Sequence, residues 1–300
     1  MTQVWPVTGL DRDRLVGLAY RMLGTVADAE DAVQEAFVRW YRLDEGARAD
    51  VGNTVGWFAR TTSRVCLDVL KSARRRHELY TGPWLPEPVP GGRFQGPAPS
   101  GGDPAERALA AESVGMALLS VMESMTPAER VAFVLRDVFD YPVADVADIL
   151  DRSPGAVRQL ASSARARVAA HGPEPSAGEA SAPLTAAFRH AANTGDVATL
   201  VRLLHPGVTL RSDGGGIVRA ALNPVHGPDK VARFVVGVLA RQSPVRLVSR
   251  TTDAGPVLTF EHDGSVSGVL ELVVRDGAVV DVLIQWNPHK LTLWRDSTGT

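Results

Sequence analysis

The sequence predicts a multidomain chain of two all-α domains, the second carrying a helix-turn-helix, followed by an α+β domain. Three observations lead there. Two stretches rich in Pro, Gly and small residues, Gly82 to Asp103 and Gly172 to Pro183, read as linkers and divide the 300 residues into three. Apolar residues recur at helical spacing through the first two parts. The last part ends in β-rich runs punctuated by Asp263-Gly264 and Asp276-Gly277, dipeptides suited to hairpin turns. The boundaries that follow are 1–81, a linker at 82–103, 104–171, a linker at 172–183, and 184–300.

Composition narrows the class. The 45% hydrophobic content is dispersed, with no apolar run near the roughly 18 residues a membrane span requires. The N-terminal residues lack the basic-then-apolar layout of a secretory signal, so a cytoplasmic location is expected and no membrane partner. The single cysteine, Cys66, sits at an apolar helical position, which excludes an internal disulfide and makes redox or zinc chemistry unexpected. With a net charge of -2, any nucleic-acid contact must come from local basic clusters. Lys71 to His77 forms one; Arg158, Arg165 and Arg167 form another, in a stretch free of acids.

In the first part, Leu15, Leu18, Ala19 and Met22 mark one helix, and Ala29, Val33, Ala36, Phe37 and Trp40 a second. A third has Phe58, Thr62, Val65, Cys66 and Val69 inward, with Arg60, Arg64, Lys71 and Arg75 on the opposite side. In the middle part, Asp103-Pro104-Ala105-Glu106 and Thr126-Pro127-Ala128-Glu129 are capping-box starts with proline at the first helical position. Val131, Val134, Leu135 and Val138 are expected inside. A short helix from Pro142, with Val146, Ala147 and Leu150 inward, leads through a turn of about three residues to a longer helix capped by Ser153-Pro154. That helix buries Val157, Leu160, Ala161, Ala164 and Val168 and exposes Arg158, Gln159, Ser162 and Arg165, the pattern of a helix-turn-helix. Arginine can pair two bonds with guanine, and glutamine with adenine. Arg165 and Arg167 suit phosphate contacts. In the last part, helices around Phe188, from Asp196 to Leu204 and from Asp229 to Arg241 precede strands at Val257 to Glu261, Val266 to Arg275 and Ala278 to Trp286, an α+β layout with a curved antiparallel sheet.

Motifs placed in this order carry a resemblance. Thr25 to Phe37 (TVADAEDAVQEAF) resembles the polymerase-binding helix of extracytoplasmic-function (ECF) sigma factors. Trp57, the Arg-bearing helix after it and Asp68 resemble their promoter-melting segment, and SPGAVRQLASSARARV from Ser153 resembles their helix-turn-helix. The resemblance implies an alternative sigma factor that binds the clamp and flap of core RNA polymerase and promoter DNA. It assigns polymerase contacts to Asp28, Asp31, Gln34, Glu35 and Arg39. It assigns the minus-ten element to Trp57, Arg60, Arg64, Lys71, Arg74, Arg75 and Arg76, with the loop Leu43 to Thr54 capturing an unstacked base. Duplex reading falls to Ser153, Arg158, Gln159, Ser162, Arg165 and Arg167. Trp57 is expected to be a core anchor rather than a stacking platform, and Arg64 stands where relatives commonly have asparagine.

Further motifs are similar to those of the ECF subgroup with a fused SnoaL-like domain, the cone-shaped fold of ketosteroid isomerases. They are Trp84, Leu85 and Pro86 within GPWLPEP, Asp213, Gly214, Gly215 and Gly216, and Asn287, Pro288, His289, Lys290 and Leu291, with His289 in place of an acid. This implies an intramolecular contact that regulates the sigma core in cis. Asp213, His226, His262 and Asp281 are the acid-base candidates such a fold offers an enzyme, but no spacing among them defines a catalytic pair. A polar residue beside a turn is expected to be solvated. No enzyme activity, cofactor or metal is therefore expected. A cavity sensing a small ligand is the remaining alternative, as is a helix-turn-helix regulator that never joins the polymerase.

Overall fold

The computed structural model describes residues 9–77, 80–94, 115–172 and 181–295. The capping box at Asp103 to Glu106, residues 95–103 of the first linker, residues 173–180 of the second, and the side chains of Arg74, Arg75 and Arg76 lie outside what is described. Two compact units emerge. The first holds residues 1–76, 94–112 and 122–170; the second holds 77–93, 113–121 and 171–300. The second unit thus includes part of the first predicted linker and a short segment of the predicted middle domain.

The first unit is helical. Its opening helices are α1 (Gly9–Leu23), α2 (Val26–Arg42), the short α3 (Glu45–Ala49) and α4 (Thr54–His77). Thr25 caps α2 by accepting from the Asp28 amide, while Val26, Ala29, Ala32, Val33, Ala36, Phe37 and Trp40 form its buried stripe. The segment expected as a loop between Leu43 and Thr54 contains α3, because Asp44 accepts from the Ala47 amide at 2.8 Å and nucleates a turn. Beyond α5 (Met116–Met122), whose residues up to 121 belong to the second unit, α6 (Pro127–Phe133) begins with the expected capping box of Thr126 and Glu129. It then widens into a π-turn at Val134–Val138, where the Phe139 amide reaches the Val134 carbonyl. Val138 is only partly buried, as is Leu160 further on.

The helix-turn-helix is α7 (Val143–Leu150) and α8 (Pro154–His171). Asp151 at φ 52° ends α7 in the left-handed region, and Ser153 restarts the chain by accepting from the Ala156 amide at 3.2 Å. Glu129 fixes α8 against α6, since the Ser163 hydroxyl donates to it at 2.7 Å. Burial alone would raise the Glu129 carboxyl. Hydrogen bonds from Thr126 and Ser163 and the nearby Arg167 outweigh burial and hold it below its usual range.

In the second unit, α9 (Ala182–Thr194), α10 (Val197–Leu203) and α11 (Pro228–Arg241) pack on one face of a six-stranded sheet ordered β2-β1-β6-β5-β4-β3. Its strands are β1 (Leu204–Asp213), β2 (Val225–His226), β3 (Arg246–Thr252), β4 (Gly255–His262), β5 (Ser265–Arg275) and β6 (Ala278–Gln285). The sheet is mixed rather than antiparallel, because β1 runs parallel to β6 after the long return through β2 to β5. Strand β3 went unread in the sequence: its pattern is mostly exposed, with Leu247 its one fully buried side chain. Asp263-Gly264 and Asp276-Gly277 form the two expected hairpin turns, all four residues at positive φ.

Strand alternation sends Leu258, Phe260, Leu270, Val282 and Ile284 toward Phe188, Val231 and Val235 of the helices. The opposite sheet face is also dry. Val273 and Leu283 pack with Leu85, Met116 and Ala117, while Val257 and Val269 pack with Leu291 and with Trp294 of α12 (Thr292–Arg295). Phe260 is fully buried with its ring centroid 4.3 Å from that of Trp286. Phe260→Ala is expected to destabilise the second unit by about 3–5 kcal/mol, read as an earlier midpoint in urea unfolding.

A candidate nucleic-acid and polymerase interface, and a buried linker clamp

On α2 the buried stripe leaves the other face to solvent. Asp31 and Gln34 are exposed, and Asp28, Glu35 and Arg39 are half-buried. Two of these groups are engaged locally: the Thr25 hydroxyl donates to Asp28 at 2.6 Å and Arg39 donates to Glu35 at 2.9 Å. Sequence reasoning passed over Val38 and Tyr41, large apolar side chains that stand exposed on the same helix. Helical spacing alone flags them, since both fall off the buried stripe.

On α4, Trp57 packs edge-on against Trp40 and Phe58, with centroids 5.0 and 5.2 Å away, and Phe58 stacks with Phe37. This aromatic cluster anchors the start of the helix, as expected for Trp57, and sets the opposite arginines at the surface. Arg60 and Arg64 are exposed and border a cleft of about 800 Å³ together with Asn53, Trp57 and Arg152. Lys71 is exposed beside Asp68 at 3.3 Å. Cys66 is fully buried, which pushes its thiol up and leaves it unreactive.

On α8, Val157, Ala161 and Ala164 are buried, and Arg158, Gln159 and Ser162 lie exposed on the other side. Arg165 and Arg167 are differently placed from the phosphate contacts expected of them. Arg165 donates to Asp137 at 2.5 Å, and Arg167 lies 3.7 Å from Glu129. Acids of the preceding helical segment, distant in sequence, compete for these two arginines. Ser153 is spent on the helix cap.

The second unit holds a buried polar cluster. Asp213 at the end of β1 is fully buried, not solvated as its place beside a turn suggested. It accepts from the Tyr80 hydroxyl at 2.7 Å, the Leu85 and Gly215 amides at 2.9 Å each, and Lys290 Nζ at 2.9 Å. Lys290 also donates to the Leu85 carbonyl at 2.7 Å, and its ammonium sits 4.1 Å from the centroid of Trp84. Gln285 Nε2 donates to the carbonyls of Leu85 and Pro86 at 3.1 Å each, and the Trp294 indole donates to Pro88 at 2.7 Å. Asn287 donates to Tyr80 at 3.0 Å and caps the turn beginning at Pro288 by accepting from the His289 amide. Burial and the acceptor Asp213 push the Tyr80 phenol up, so it remains a donor. A side chain at Gly214 would collide with the Val218 carbonyl, and one at Gly215 with the Asn287 amide. The glycines are therefore required by close approach.

Of the residues singled out in the linker, after β1 and near Asn287, Trp84, Leu85, Pro86, Asp213, Gly215, Asn287 and Lys290 thus meet in one place, while Leu291 packs with Val257 and Val269 and His289 is exposed. Tyr80, Gln285 and Trp294 were missed; isolated polar and aromatic residues give no signal until the chain brings them together. Glu271 was missed as well. It accepts from the Ala117 amide at 3.1 Å at the start of α5, and burial raises its carboxyl to about 7 against the opposing pull of the Ala117 and Met116 amides. His226 and His262 lie exposed on strand ends, and Asp281 pairs with Arg211 at 3.6 Å, so the acid-base candidates do not converge. Among the described residues no cluster of metal-binding side chains occurs, and no helix is long and apolar enough to cross a membrane.

An acidic helix, an arginine-faced helix and a helix-turn-helix in this order define a sigma-type transcription initiation factor, and residues 11–76 match Sigma-70 region 2 while residues 115–168 match Sigma-70 region 4. Over 297 residues the chain is 39% identical to the ECF RNA polymerase sigma factor SigJ of Mycobacterium tuberculosis, covering 94% of this chain and 91% of that one. It is 33% identical to the probable ECF sigma factor SigI of the same species over 293 residues, 96% of this chain and 94% of that one. The crystal structure of the M. tuberculosis ECF sigma factor SigJ matches with a TM-score of 0.72 at 36% identity, covering 94% of this chain and 96% of that one. The chain belongs to the ECF family of RNA polymerase sigma factors. It is an alternative sigma factor whose chain continues into a C-terminal α+β domain.

A carboxyl raised above its ordinary value contributes its stability below about pH 4.5 and loses it as pH rises through about 7. Protection of the α5 amides at Met116 to Val121 against hydrogen exchange, corrected for the intrinsic rate, is expected to fall between those pH values. Glu271→Gln should flatten that profile.

Proposed function

We propose a division of labour within this sigma factor. The exposed face of α2, with Asp28, Asp31, Gln34, Glu35 and Arg39 beside Val38 and Tyr41, binds the polymerase clamp. Its mixture of carboxylates and apolar groups suits a basic surface with apolar patches. The arginine face of α4 holds the opened minus-ten strand through its phosphates, with the α3 segment before it as the base-capturing loop. Helix α8 enters the major groove of the minus-35 element, where Arg158 and Gln159 read base edges. The observation that carries this assignment is the clean partition of α8, with Arg158, Gln159 and Ser162 all to solvent opposite a wholly buried Val157, Ala161 and Ala164 row. Arg165 and Arg167 would have to leave Asp137 and Glu129 to reach phosphate.

The C-terminal domain regulates the sigma core in cis by gripping the linker from Tyr80 to Pro88. The support is the set of hydrogen bonds from Gln285, Lys290 and Trp294 to linker carbonyls, which hold backbone rather than any one side chain. The protein acts where its template is, in the cytoplasm. A role as a catalyst finds no support in the scattered acid-base candidates.

Purified core polymerase with this chain is expected to start transcription at a matching promoter. Arg158→Ala should weaken duplex promoter binding by about 1–3 kcal/mol in an electrophoretic shift assay. Asp31→Ala with Glu35→Ala should weaken core binding and leave duplex binding intact; an exchange of these two effects would overturn the assignment. Trp84→Ala is expected to loosen the linker, seen as faster proteolysis near Gly82 and altered transcript yield. Unchanged yield with a loosened linker would refute regulation in cis.

A further inference from the structure

The arginine face of α4 is not simply open to solvent. Arg60 and Arg64, one turn apart, look onto α7, the first helix of the helix-turn-helix. Arg60 Nη2 lies 3.8 Å from Asp145 Oδ1, and Arg64 Nη2 donates to the Asp148 carbonyl at 3.0 Å. Asp145, Asp148 and Asp151 recur every third residue along α7 into its last turn, and Asp148 and Asp151 border the same 800 Å³ cleft as the two arginines. A further contact joins the two helical groups within this unit. The Arg21 guanidinium lies 5.5 Å from the centroid of Phe139.

We propose that α7 is an intramolecular stand-in for the promoter strand. A row of carboxylates and a free helix carbonyl present to Arg60 and Arg64 the oxygen acceptors that strand phosphates would otherwise supply. Bound this way, the arginines are blocked, and α7 must leave α4 before the minus-ten strand can enter. The acceptor set is weak by design of the geometry: one long ion pair between half-exposed groups and one bond to a carbonyl. Such a contact yields to a strand that offers several phosphates at once, while it suppresses binding of stray single strands by the chain alone. The inference rests on the reading of Arg60 and Arg64 as strand-binding residues.

The test uses the full chain and a fluorescent oligodeoxythymidine, since phosphate contacts do not depend on sequence. Anisotropy titration at low salt should show Asp145→Asn binding about threefold tighter than the unaltered chain, a size expected for one half-exposed pair. The advantage should vanish at high salt. Asp140→Asn removes an equal charge from an exposed turn that does not line the cleft, and should leave affinity unchanged. Arg60→Ala with Arg64→Ala should weaken binding. If the arginine variant weakens binding but Asp145→Asn does not tighten it, the stand-in role is overturned and the strand-binding reading survives. Equal tightening by Asp140→Asn would assign the effect to net charge and overturn it too. No effect of the arginine variant would remove both readings.

Discussion

The second unit depends on a buried carboxylate. Asp213 has no access to water, and an ionised group in such a place is tolerated only when charge and hydrogen bonds surround it. Lys290 supplies the charge; Tyr80 and the amides of Leu85 and Gly215 supply donors. Two of these four come from the segment that leads out of the first helical bundle. The linker thus supplies two of the carboxylate's donors beside Lys290, Gly215 and Gln285, and is part of the folded unit rather than a tether. The same logic explains why Gly214 and Gly215 stand beside it: backbone must come close enough to fill the remaining acceptor sites.

Around that cluster the sheet has two dry faces, where an antiparallel sheet of this size commonly has one. Helices α9 to α11 cover the first. The second is covered by Leu85, by Met116 and Ala117 of α5, and by Trp294. Within the second unit, Glu271 and the sheet hold the start of α5. Burial raises the Glu271 carboxyl to about 7, so its hold on the start of α5 responds to pH.

In the first unit, function is set by which faces the caps and cores leave over. Thr25, Thr126 and Ser153 start three helices, and the buried stripes of α2, α4 and α8 then dictate which side chains face outward. Acids from neighbouring helices then select among the outward arginines. Asp137 and Glu129 engage Arg165 and Arg167, Asp145 engages Arg60, and Arg158 remains exposed on the outer face of α8.

By itself the sequence determined the helical periodicities, the caps at Thr126 and Ser153, the two Asp-Gly hairpins and the order of the acidic helix, the arginine-faced helix and the helix-turn-helix. Each of these is local: a hydrogen bond three residues away or an apolar repeat every three or four. It also marked GPWLPEP, Asp213 to Gly216 and Asn287 to Leu291 as belonging together through resemblance. Only the tertiary structure decided that Asp213 is buried rather than solvated, that β1 lies parallel to β6, and that the exposed-patterned β3 completes the sheet. It alone showed Tyr80, Gln285, Trp294 and Glu271 at work, and Arg60, Arg165 and Arg167 engaged by distant acids. The physical reason is common to all of them. A buried charge, a parallel strand pair and an ion pair across helices join residues far apart in sequence, and no local spacing carries the distance between them.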